Sequence, residues 1–72
     1  MRSCEGLFRI DTGSSKIDFT LINVGGNHCQ IANNGGILFD GYILEGYEVF
    51  EKKAKEQELL AKFAGWEFTR IK

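Results

Sequence analysis

Seventy-two residues, nine basic and ten acidic side chains and a net charge of −1 describe one small, charge-balanced domain. So even a balance gives no basic stripe for nucleic acid and no acidic surface for mimicking it. No run approaches the ~20 apolar residues of a membrane span, so a membrane partner is not expected. The N-terminus lacks a signal-length apolar stretch and a cleavage pattern, so the expected location is cytoplasmic, with Cys4 and Cys29 as reduced thiols.

Taken in order, residues 7–11 alternate, with Phe8 and Ile10 on one side and Leu7 and Arg9 on the other. Thr12-Gly13-Ser14-Ser15 is turn chemistry. In residues 16–24, Ile17, Phe19 and Leu21 face one way and Asp18 and Thr20 the other, so the two runs predict an antiparallel hairpin. Ile22 and Val24 put apolar side chains near the polar face, which suggests cover on both sides at that end. Gly25-Gly26-Asn27 breaks the strand, residues 28–32 form a short third one, and Asn33-Asn34-Gly35-Gly36 turns the chain again. Residues 37–44, ILFDGYIL, carry Asp40-Gly41 between apolar triplets, a signal for a two-residue type I′ hairpin pairing Phe39 with Tyr42 and Ile37 with Leu44. The competing reading is a single strand to Phe39 and then a loop.

Residues 45–64 predict the helix. Ala, Leu, Glu, Lys and Gln dominate, and they lose little side-chain freedom there. Gly46, Phe50, Ala54, Gln57, Ala61 and Ala64 fall on one stripe, with Tyr47 and Leu60 at its edges. Most of that stripe is small, so the helix can lie close to a sheet. Glu48–Lys52, Glu51–Lys55 and Glu58–Lys62 are spaced for i,i+4 pairing, and Gly65 suits a left-handed end. Residues 66–71 alternate again as a final strand. The expected fold is α+β: an antiparallel sheet of about four to five strands with one helix on one face, in the order β-β-β-β-α-β. Its core is expected to be Phe8, Ile10, Ile17, Phe19, Leu21, Phe39, Phe50, Leu60 and either Trp66 or Phe68.

Leu59 and Phe63 do not fit the stripe: Leu59 projects opposite Phe50, and Phe63 lies beside it one turn on. Either a loop or the N-terminal segment covers them, or they are scattered surface apolars, or they meet another chain.

The candidate chemistry is thin. In Asn27-His28-Cys29, adjacent strand residues point to opposite faces, so His28 does not activate Cys29; Cys4 with His28 would need folding to bring them together. Two Cys and one His fall short of the four ligands of a structural zinc site. The glycine-rich turns lead into strands rather than into a helix N-terminus, as a phosphate cradle requires. No carboxylate pair or Ser–His–Asp set is identifiable. The expectation is no enzyme, no cofactor and no metal. Aromatic residues remain the abundant resource, and Tyr42, Tyr47 and Trp66 are the likeliest to be exposed, aromatics being typical binding hot spots.

In size and in its strand-rich, single-helix plan, the chain resembles the short orphan proteins of phages and mobile elements, anti-CRISPR proteins among them. That resemblance, of general form, implies an inhibitor that occupies a surface of a host complex. The functional expectation is a protein-binding module, homodimeric through the Leu59–Phe63 side of the helix or an open sheet edge, with Leu59, Phe63, Tyr47 and Tyr42 as partner-binding residues. The alternatives are a small domain binding single-stranded nucleic acid through sheet aromatics and, behind it, a thiol or hydrolytic enzyme built on Cys29 or Cys4 with His28.

Overall fold

The structure, a computed structural model, describes residues 3–72, the Ser3 side chain excepted. Five strands, β1 (Ser3–Asp11), β2 (Lys16–Gly25), β3 (His28–Asn33), β4 (Gly36–Tyr42) and β5 (Glu67–Arg70), accompany one helix, α1 (Ile43–Ala64). Every pairing is antiparallel and the spatial order is β4-β3-β2-β1-β5. β1 to β4 thus form a meander, and α1 carries the chain from one edge back to the other, where β5 pairs with β1. This is the α+β arrangement and element order expected from the sequence.

The three meander turns share one device. The side-chain oxygens of Asp11, Asn23 and Asn33 accept the backbone N–H two residues on, from Gly13, Gly25 and Gly35, at 2.9, 2.9 and 2.8 Å. Such Asx turns give the chain a local alternative to the ladder and so end each strand.

The pairing register sorts the side chains. Phe8 lies opposite Phe19, Ile10 opposite Ile17, Leu21 opposite Ile31, and Ile31 opposite Phe39. These residues face α1, and Phe8, Ile10, Phe19, Leu21, Cys29, Ile31, Phe50, Ala54 and Ala61 make the buried core, with Ile17, Phe39, Ile43, Val49 and Phe68 packed against it. Phe8 is its centre: it stacks on Phe19 at 4.7 Å between ring centroids and meets Phe50 at 5.2 Å and Phe68 at 5.3 Å. Burying each such ring stabilises the fold by about 1.5–3 kcal/mol. The helix buries Gly46, Phe50, Ala54 and Ala61, all four from the predicted stripe.

Two small helix or sheet positions set the spacing between the layers. A Cβ on Gly6 would come 2.7 Å from the Phe50 ring, and one on Gly46 would come 2.2 Å from the Cys29 sulfur. Side chains there would force α1 off the sheet.

Several expectations are corrected. Asp40-Gly41 is not a hairpin: β4 runs through it to Tyr42, with Asp40 opposite Gln30, Gly41 opposite Cys29 and Tyr42 opposite His28. A type I′ turn needs positive φ at both central residues, and Gly41 is not among the glycines that have it. The alternative loop after Phe39 is also absent, because the chain passes from Tyr42 directly into α1 at Ile43, two residues before the predicted start. Gly41 instead makes room for Phe39, whose ring a Cβ would meet at 2.8 Å. The helix start has no side-chain cap; the Ile43 N–H donates to the Asn27 carbonyl at 2.7 Å, so the β2–β3 turn fills that role. Leu60 is 49% exposed rather than core, because it sits on the flank of the stripe, and of the two final aromatics Phe68, not Trp66, packs inward. The predicted i,i+4 pairs are not among the ion pairs that close. Glu51 turns to Arg70 on β5 instead, at 2.6 Å. At the far end of β2, Ile22 and Val24 are half-buried by neighbours in the sheet, and among the described residues no second layer lies over them.

Candidate protein-interaction surface

The last buried position of α1 is Ala61; residues 62–67 are all exposed. The final turn therefore runs past the core, ending at Gly65 with φ 76° and a Trp66 N–H donated to the Ala61 carbonyl at 2.8 Å. That left-handed stop fixes the end of the helix and holds its last side chains outward. Phe63 is 85% exposed and Leu59 58%. Phe63 lies four residues from Leu59 and three from Leu60, so it neighbours both on the helix surface, and the three form one apolar knob.

Tyr42 and Tyr47 belong to the other end. The helix puts about 30 Å between Ile43 and Phe63, so the four residues singled out from the sequence make two surfaces rather than one. Tyr42 is open to solvent, while the Tyr47 hydroxyl donates to the Glu5 carboxylate at 2.8 Å, which pushes the phenol pKa up. Tyr42, Asn27, Ile43 and Leu44 line a shallow, largely apolar cleft of about 350 Å³ where β4 enters the helix. Leu44 and the exposed side chains of Ile37 and Leu38 were missed at sequence level, because the assumed hairpin had paired Ile37 with Leu44.

On the face of the sheet away from α1, side chains pair across strands by charge. Arg9 donates to Asp18 through two nitrogens, at 2.6 and 3.1 Å, and His28 joins Asp40, which also accepts from Gln30 at 3.5 Å. The His28 ring meets Tyr42 edge-on. The Arg9 guanidinium holds the Asp18 carboxyl below the usual range, mainly by hydrogen bonding. Exposed pairs of this kind contribute little, because solvent and salt screen them.

Cys29 points under the helix, with its thiol donating to the Tyr42 carbonyl at 3.7 Å and its pKa pushed up by burial. His28 points the other way, as the alternation of the strand requires. Cys4 donates to the Gly6 carbonyl at 3.3 Å, and both thiols are free. Among the described residues no three metal-ligating side chains converge. The aromatics that would form a base-stacking platform, Phe8, Phe19, Phe39 and Phe68, lie beneath α1. No helix among the described residues is long and apolar enough to cross a membrane. No protein-family model, curated protein or solved structure matches the chain.

Proposed function

We propose that this chain is a non-enzymatic binding module that seats the Leu59–Leu60–Phe63 knob in an apolar groove of another protein. The observation that carries the reading is Phe63, a phenylalanine left 85% exposed in the last turn of a helix that ends at Gly65. Burial in a partner would yield about 1.5–3 kcal/mol from that ring alone, and anchors at i and i+4 suit a helix-in-groove contact. A host complex inhibited by surface occupation, as the resemblance in size and plan implies, is the class of partner this reading favours.

The test is a Leu59→Lys, Phe63→Lys double variant. Proteins captured by the parent chain from a host extract are purified and their Kd measured against both forms. The double variant is expected to keep its circular dichroism and to bind roughly thirtyfold or more weakly, as loss of a hot spot does. An unchanged Kd rejects the knob as the docking site. Salt-sensitive binding to single-stranded DNA or RNA would instead support the nucleic-acid reading.

A further inference from the structure

The β3–β4 turn holds a reactive dipeptide. Of the asparagines Asn23, Asn27, Asn33 and Asn34, Asn34 alone is followed by glycine. Glycine has no side chain to shield its backbone nitrogen or to stiffen the chain around it, so this nitrogen readily attacks a preceding side-chain amide. Asn34 and Gly35 are both exposed, so water and hydroxide reach them. In the folded chain three hydrogen bonds oppose the attack. The Gly35 N–H, which must lose its proton, donates to Asn33 Oδ1 at 2.8 Å. The Asn34 amide, whose Cγ is the atom attacked, is held on β2 through both its polar atoms. Its Nδ2 donates to the Lys16 carbonyl at 3.0 Å, and its Oδ1 accepts the Asp18 N–H at 3.4 Å. Thr20 lies opposite Ala32, so two residues on, Asp18 is in register with Asn34. The Asn34 side chain thus continues the β2–β3 ladder where the backbone has turned away.

We propose that Asn34 is a self-modification site, deamidated through the Gly35 nitrogen at a rate set by how often the turn leaves β2. The Gly35 nitrogen gives up its proton and attacks Cγ of Asn34. A bond forms between that nitrogen and Cγ, the bond from Cγ to Nδ2 breaks, and Nδ2 departs with the proton as ammonia. The five-membered succinimide then takes up one water. Opening at the main-chain carbonyl of residue 34 gives isoaspartate, opening at Cγ gives aspartate, and in both the ring nitrogen recovers a proton. Nothing is oxidised or reduced, and solvent is the one co-reactant. Isoaspartate routes the chain through Cγ and so adds a methylene to the backbone of the turn. Either product sets a carboxylate where Nδ2 had donated to the Lys16 carbonyl, adding one negative charge to a net −1. That bond to β2 is not restored, and the turn keeps a permanent mark of having opened. The site is remote in sequence from the Leu59–Phe63 knob and stands independently of the function proposed for it.

Mass spectrometry of the full chain, incubated at mildly alkaline pH with and without denaturing urea, tests it. The product is read as the mass gained when an amide becomes an acid, placed by fragmentation, and isoaspartate is recognised by enzymatic methylation. In urea, Asn34 is expected to react before the other asparagines and to give mostly isoaspartate. In the folded chain the same reaction is expected to be at least about tenfold slower, because the hydrogen bonds of the turn must open first. Asn33→Ala removes the acceptor of the Gly35 N–H. It is expected to speed the folded reaction severalfold, with circular dichroism kept and the rate in urea unchanged. Equal rates at Asn34 in the folded and unfolded chain overturn the proposal. So does another asparagine reacting first in urea, a product free of isoaspartate, or a folded Asn33→Ala chain that reacts no faster than the parent. Where Asn33→Ala does not fold, the two rates of the parent chain decide.

Discussion

The alpha carbon of Gly46 lies so close to the sulfur of Cys29 that a Cβ built on it would sit 2.2 Å away. The contact fixes the helix start against the beginning of β3, the second strand from the edge. Gly46→Ala would remove the helix penalty of glycine, about 1 kcal/mol, yet the overlap costs more. The variant is expected to lose about 1–3 kcal/mol of stability by urea unfolding.

The same pair gives a sharper test. The next atoms a Cβ at 46 would meet, on Leu21 and Phe39, are at 3.5 and 3.6 Å, ordinary contact distances. Cys29→Ala should therefore cancel the cost of Gly46→Ala, and the double variant should equal or exceed Cys29→Ala alone. Additive losses in that cycle would show that something other than the sulfur opposes the methyl group.

Two phenylalanines on one helix should behave oppositely. Phe50→Ala empties the space between Gly6 and Phe8 and is expected to cost about 3–5 kcal/mol. Phe63→Ala touches no core residue and is expected to stay within about 0.5 kcal/mol of the parent. Comparable losses at both sites would mean that Phe63 is covered in the free chain.

Acid should weaken the fold through two carboxyls. Asp18 and Glu51 are both held below the usual range, first by hydrogen bonds from Arg9 and Arg70 respectively. A depressed folded pKa contributes stability that is fully present above the unfolded value, about pH 4, and is lost as pH falls through the folded value. Both pairs are substantially exposed, so the effect is small and added salt reduces it. Arg70→Gln should flatten the acid arm of a urea-midpoint profile, and an unaltered arm would show that the Glu51 pair contributes nothing.

The thiols should separate cleanly. Cys29 is fully buried with its pKa raised by desolvation, whereas Cys4 is only half-buried. Alkylation at mildly alkaline pH followed by mass spectrometry should label Cys4 first and reach Cys29 only on unfolding. Early modification of Cys29 would mean that the helix start opens readily.

The strands and the helix were legible because their periods are: Ile17, Phe19 and Leu21 alternate, and Gly46, Phe50, Ala54 and Ala61 recur each turn. Asp40-Gly41 was misleading because a dipeptide reports local turn preference, whereas Phe39 and the full length of β3 favour continuing the strand. Leu60 could not be separated from the core by period alone, since the stripe does not say where on its flank the sheet ends. The bareness of Leu59 and Phe63 hinges on where the chain lies relative to them, which no local pattern encodes. The cleft between Asn27 and Leu44 joins the β2–β3 turn to the junction of β4 with α1 and had no signature at all.

The pairing of β1 with β5 joins Phe8 to Arg70, and the backbone of Leu7 is tied to Ile71 and Lys72. β1 is therefore an open edge until β5 closes it, and Phe8 lacks the ring of Phe68 until then. A version lacking residues 67–72 should accordingly be readily cleaved by protease, and adding those residues back as a peptide should restore resistance.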